Sequence, residues 1–241
     1  MIKQTKFLTA EWRKLIMANY CVNPEILSPY IPAGTELDSW NGKYYVSLVG
    51  FMFVKTKLLG LSIPYHTDFP EVNLRFYVRY KEEGNWKRGV VFVNEFVPKP
   101  ALAFIANKIF KERYVAMPMK THIAENNKQL HVKYQWKKEK WSHLEVKAVP
   151  ELQSIETGSE EEFITEHYWG YTSMAGEKTG EYKVSHPRWQ VYPVTEYSIN
   201  CDFAHLYGNN FSSLNDMKPT SVFLAEGSAI AVYPKKILKA F

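Results

Sequence analysis

Two cysteines in 241 residues, Cys21 and Cys201, are too few and too far apart to form a close-spaced metal or redox pair. Free thiols in a reducing cytosol are the expected state. Long apolar runs are missing as well, since the longest, such as Leu48 to Val54, fall far short of the length that spans a bilayer. The opening residues MIKQTKFLTAEWRK bring charge back before the apolar core of a secretory signal can build. A soluble, cytoplasmic protein with no membrane partner is expected. The chain also has no glycine-rich phosphate loop, no Gly-x-Ser-x-Gly elbow and no His-Glu-x-x-His zinc helix. Its seven histidines are scattered, and a hairpin turn near Lys138 would send His131 and His143 to opposite faces. No metal and no cofactor are expected. Charge of one sign is not segregated either. The net charge is +5, yet lysines and acids intermix everywhere except around Lys133 to Lys147. There a lysine-rich turn between two alternating strands suits edge protection better than a nucleic-acid surface.

What the chain has in quantity is aromatic residues, 15% of the total with 16 Tyr and 7 Trp, in a 46% apolar composition. That balance favours sheets around an aromatic-lined interior, and 241 residues fit one domain spanning 1–241. Asn23-Pro24-Glu25 ends a first strand with a short helical turn. Asn41-Gly42 between strand-like runs signals a hairpin, and Tyr44 to Val54, apolar on both parities, reads as a central strand. Prolines 98 and 100 open an amphipathic helix over Ala101 to Tyr114, with Leu102, Ile105 and Ile109 on one stripe. Ser159 and Glu162 form a capping box for a brief second helix. Many strands and few helices indicate an α+β, mainly antiparallel protein, closed or nearly closed into a cone-like barrel with helices outside.

The segment Asp68 to Pro100 organises the rest. Val72, Leu74, Phe76 and Val78 alternate with Glu71, Asn73, Arg75, Tyr77 and Arg79, so one face is apolar and the other carries a carboxylate, an amide and a guanidinium. Across the Gly84-Asn85 turn, Glu95 sits on the parity of Val91, Val93 and Val97. A register that pairs Lys81 with Lys87 puts Glu95 on the face of Asn73 and Arg75, and a slip of one residue reverses this. Two readings are open. The polar face is wet, or it lines a ligand cavity. His66 lies in a loop from which it could reach the mouth of such a cavity. His-Tyr-Trp-Gly-Tyr at 167–171 and His-Pro-Arg-Trp at 186–189, with Tyr207, offer an aromatic wall made of Tyr168, Trp169, Tyr171, His186, Trp189 and Tyr207, or else ordinary core.

The segments MANYCVNPEIL, IPAGTELDSWNGKYYVSLVGF, FPEVNLRFYV, GVVFVNEFVP, EHYWGY, YKVSHPRW, LYGNNF and SVFLAEGSAIAV together resemble the YqjF-like family of uncharacterised bacterial proteins, from Trp12 to Val232. The resemblance implies the acetoacetate-decarboxylase-like fold, a curved antiparallel sheet closed into a cone around a cavity. It implies no assigned reaction. Acetoacetate decarboxylases form an imine through a lysine beside a second lysine. Here Pro98-Lys99 follows Glu95 at a different spacing, and Pro100 stands in the second lysine's place. The expected roles are therefore Arg75 for a substrate carboxylate, Glu71 and Glu95 for proton transfer, and Lys99 as the candidate imine former. A decarboxylase-like lyase acting on a small carboxylated or carbonyl compound and a non-catalytic small-molecule binder both fit, and a homo-oligomer is open.

Overall fold

The computed structural model describes residues 5–238; the first four residues of the segment used to judge a signal sequence lie outside them. The first four long strands are β1 (Leu8–Val22), β2 (Tyr44–Leu58), β3 (Phe69–Glu82) and β4 (Asn85–Val97), followed by α1 (Pro100–Phe110). Three more, β5 (Met119–Glu125), β6 (Leu130–Lys137) and β7 (Trp141–Ala148), precede α2 (Glu160–Thr165). The chain continues through β8 (Trp169–Met174), β9 (Lys178–Ser185), β10 (Val194–Asn200), α3 (Phe203–Tyr207) and β11 (Ser221–Val232). Most of the structure is antiparallel β with a few short helices.

The main sheet runs β11-β1-β2-β3-β4-β8-β9, antiparallel except for the β4–β8 pair. β9 pairs again with β11, through Val184 with Val232 and Ser185 with Ala231. A second sheet, β10-β7-β6-β5, lies against one face of the first. Its alternation is regular: Leu130, Val132, Tyr134 and Trp136 of β6 and Leu144, Val146 and Ala148 of β7 are buried against Ile16, Leu48, Val72, Leu74 and Phe76 of the main sheet. The opposite face of the main sheet holds a second apolar cluster, including Leu15, Val49, Phe51, Phe53 and Val90. Strands β2 and β3 are thus covered on both sides, which explains why β2 is apolar on both parities.

Local signals act as physics requires, with two corrections. Asn41 and Gly42 take φ of 49° and 75°, the left-handed pair of a type I′ turn, and Trp40 bridges to Lys43. The upstream arm is short, however, and Glu36–Leu37 pairs with β3 instead of β2. Ser159 caps α2 by accepting from the Glu162 amide, while the Glu162 carboxylate accepts from Gly158 N at 2.6 Å. In the second sheet Gln135 faces His143 and His131 faces Lys147, so both histidines share the outward face. The pairing joins residues of equal parity, which overturns the expectation of opposite faces. In α1 Leu102 and Ile105 turn inward and Phe104 outward; the side chain of Ile109 lies outside the described ones.

Contact between the sheets depends on Gly50. A Cβ there would lie 2.8 Å from Cδ2 of Tyr134, whose hydroxyl donates to Lys14 O at 2.9 Å. Gly50→Ala forces this layer apart and is expected to destabilise the protein by about 1–3 kcal/mol in urea unfolding.

Candidate active site

The β3–β4 hairpin positions the site, and it does so through a bulge. Glu83 and Gly84 form a two-residue turn with φ of 49° and 84°, which sets Glu82 opposite Asn85 and Lys81 opposite Trp86, not Lys87. Continued unchanged, that register would place Glu95 opposite Val72 and turn it away from Asn73. Between Leu74, which faces Asn94, and Arg75, which faces Phe92, β4 carries Val93 as one extra residue. Beyond the bulge the faces exchange, and Glu95 stands opposite Asn73. Its neighbours on that face are Phe92 and Val90, while Val91 and Val93 pack into the layer between the sheets.

Glu71, Asn73, Arg75 and Glu95 are all buried, Arg75 the most accessible at 8%. They line one cavity of about 100 Å³ on the inner face of the main sheet, several times the roughly 10–15 Å³ that one water needs. Glu112, Tyr114, Tyr182 and His167 join them in its wall. Glu71 accepts from Asn73 Nδ2 at 2.9 Å and from the Tyr114 hydroxyl at 3.1 Å. Glu112 accepts from the Thr172 hydroxyl and lies 3.9 Å from Lys235 Nζ, which donates to Thr172 Oγ1 at 3.1 Å. Arg75 donates through Nη2 to Ile164 O at 3.3 Å. Among the described residues its Nε, Asn73 Oδ1 and Glu95 Oε2 are buried without hydrogen-bond partners. Arg75 makes no ion pair within 4.0 Å among the described residues.

Three buried carboxyls around one cavity disfavour full ionisation. Burial lifts Glu71 to about 7; the Asn73 and Tyr114 bonds oppose it, the Glu112 charge reinforces it, and the Arg75 charge opposes it. Burial pushes Glu95 well above the carboxylate range, with the charges of Glu71 and Glu112 adding. Glu112 is also raised by burial, against the pull of Lys235, and burial lowers the Lys235 amine. Burial brings His167 down to about 4 despite the hydrogen bond to Asp38, so its ring is neutral at pH 7. Burial opposes ionisation of Asp38, but the bonds from His167 (3.1 Å) and Arg88 (2.6 Å) outweigh it and hold Asp38 below its ordinary range. The site therefore contains a guanidinium with open donor capacity beside three carboxyls that burial holds above their ordinary range.

The aromatic stretches divide. His186 and Trp189 line the cavity with rings stacked 4.3 Å apart, and Tyr168 packs behind His186 at 4.7 Å. Trp169 contributes to the wall beside Gly170. Tyr171 is instead on the sheet face opposite Gly170, bonded to Lys87 O and Glu181. Tyr207 belongs to α3 and packs on Phe96 and Phe203. Both miss the cavity because strand parity and an intervening helix, not sequence proximity, set their direction. His66 lines a separate cavity and sits 2.9 Å from Pro64 O. Lys99 stands at the N-cap position of α1, half-buried and outside the walls of both cavities. The extended backbone of the cap sends it away from β4's inner face.

A family model described as an uncharacterized conserved protein, DUF2071, matches residues 9–229. The chain belongs to the DUF2071 family. The Bacillus subtilis (strain 168) protein YqjF, also described as uncharacterized, is 27% identical over 190 residues, covering 78% of this chain and 77% of its own. This DUF2071 protein also superposes on solved structures. An enduracididine biosynthesis enzyme, MppR, complexed with pyruvate gives a TM-score of 0.67 at 9% identity, covering 100% of this chain and 93% of its own. An acetoacetate-decarboxylase-like enzyme from Sphingomonas wittichii RW1 gives 0.67 at 10%, over 98% and 94% of the two chains. Acetoacetate decarboxylase from Legionella pneumophila gives 0.64 at 12%, over 97% and 88%. At such identities the DUF2071 chain shares their fold, and nothing about its chemistry follows from the superposition alone.

Glu112, Tyr114, Tyr182 and Lys235 carry no local signal in the DUF2071 sequence. The sequence reading runs the helix on to Tyr114, but the left-handed Lys111 (φ 55°) ends α1 at Phe110 and turns the chain back toward the sheet. Among the described residues no group of three His, Cys, Asp or Glu side chains has the geometry of a metal site. No helix there is long and apolar enough to cross a membrane.

Proposed function

We propose that this protein is an enzyme that moves protons on a small carboxylated carbonyl compound held on the inner face of a closed sheet. The single observation that carries this reading is the cavity itself, with Arg75 and its unpartnered Nε among three carboxyls held above their ordinary range. Arg75 binds the substrate carboxylate, since a guanidinium meets a carboxylate through paired, charge-assisted hydrogen bonds. Glu95, whose carboxyl burial and the neighbouring Glu71 and Glu112 charges push well above the ordinary range, supplies a proton, and Glu71, raised to about 7, exchanges one in either direction. Tyr114 orients Glu71 through its 3.1 Å bond. His186 and Trp189 exclude water from the reacting carbon. Closure of the barrel is supported by the second pairing of β9, with β11, and a small keto acid is in keeping with the pyruvate held by MppR.

The test is exchange of the C3 protons of 2-oxobutyrate in deuterium oxide, followed by proton NMR. Exchange faster than in buffer, lost in Glu95→Gln, is expected. The position of Lys99 outside the cavity favours a second reading, a non-catalytic receptor for the same ligands. Calorimetric binding of 2-oxobutyrate without exchange would select it, and absence of both binding and exchange would overturn the two readings together.

A further inference from the structure

A second cavity, of about 110 Å³, adjoins the first and shares Leu8, Phe53, Glu71 and Tyr114 with it. Its other walls are mostly apolar, from Leu58, Phe69 and Val97 of the sheet and Leu102 and Ala106 of α1. Three neighbouring strands describe the same succession along one face. On β3, Arg75 and Asn73 line the first cavity, Glu71 lines both and Phe69 lines the second. On β2, Val49 and Phe51 are followed by the shared Phe53, and on β4, Phe92 and Glu95 are followed by Val97. Two cavities so arranged are successive stretches of one trough, narrowed where the Tyr114 hydroxyl donates to Glu71. From Arg75 to Phe69 the trough runs about 20 Å at the strand rise of roughly 3.3 Å per residue.

We propose that the second cavity is a tail pocket of the same site, and that the ligand is a carboxylic or keto acid with an unbranched apolar chain of medium length. The assignment rests on the reading of Arg75 as the carboxylate anchor. The outer wall belongs to α1 and the loop before β3, where Ile63 both lines the cavity and is 38% exposed. Surface of this kind beside an opening suits the entry of a hydrocarbon chain.

Calorimetric titration of the whole protein with propionate, hexanoate and octanoate at pH 6 tests the assignment. Each methylene buried in the tail pocket strengthens binding by up to about fourfold, so octanoate is expected to bind at least about tenfold more tightly than propionate. Ala106→Phe and, separately, Leu102→Trp fill the pocket from α1 and remove that gain. Propionate binding by each variant reports that it is folded. Equal affinities for the three acids in the wild-type protein would overturn the tail pocket and leave the Arg75 anchor standing. Failure of all three to bind would overturn the anchor, and the tail pocket with it.

Discussion

On the proposed reading of the site, Arg75→Met is expected to weaken binding of pyruvate, used as a probe keto acid, about 100-fold while leaving the unliganded protein at least as stable as the wild type. The two effects separate because of how Arg75 is held. It is buried, yet it makes one backbone hydrogen bond, to Ile164 O at 3.3 Å, a 3.9 Å contact with Met17 Sδ, and no ion pair among the described residues. Replacing a buried, poorly paired charge with an apolar side chain of similar length is commonly neutral or stabilising. A carboxylate bound through two charge-assisted hydrogen bonds, by contrast, loses about 2–5 kcal/mol when its partner is removed. Calorimetric titration and thermal melting measure the two quantities on the same sample. Unchanged pyruvate affinity would remove Arg75 from the site, and a large fall in melting temperature would show its charge to be structural.

Glu71→Gln is expected to stabilise the protein above pH 7 and to make little difference below pH 4.5. The folded state holds the Glu71 proton up to about 7, whereas the unfolded chain releases it near the ordinary 4.5. The folded state therefore binds the extra proton between those values, so the proton's contribution is complete below 4.5 and is lost as pH rises through 7. Above that range the wild type carries a buried, ionised carboxylate, and glutamine does not. The advantage of the variant grows across this window to roughly 2–4 kcal/mol, or about 5–10 °C in Tm. Glutamine can accept from Asn73 Nδ2 through its amide oxygen and donate to the Tyr114 hydroxyl through its nitrogen, reversing that bond, which limits other consequences. Melting curves at pH 4, 6 and 8 provide the measurement, and a difference that shrinks with rising pH would contradict it.

Much of the frame was legible in the chain. Asn41-Gly42 favours left-handed backbone, Ser159 can satisfy an open helix amide, and Glu71, Asn73 and Arg75 recur at the two-residue period that commits them to one face. What was not legible is what depends on one residue of offset or on distant chain. The alternation of β4 assigns Glu95 to the side of Val91 and Val93, and the extra residue Val93 reverses that. The expected Lys81–Lys87 register is wrong at the turn, yet it holds at Glu95 because the turn and the bulge shift the pairing in opposite senses. Glu112 and Lys235 meet across more than a hundred residues, a juxtaposition no local pattern records. Lys99 resembled a reactive lysine by sequence context alone, and a proline-started helix carries it outside the cavity.

The pairing of β1 with β11 brings Leu8 beside Val232. Because β1 also pairs with β2 along its length, the first strand made must wait for the last before the sheet is complete. Such non-local pairing slows folding, and until then the edge of β1 is open to other chains. A nascent or truncated chain ending before Ser221 should therefore aggregate, while the full-length chain folds slowly but reaches a state in which both ends lock each other in place.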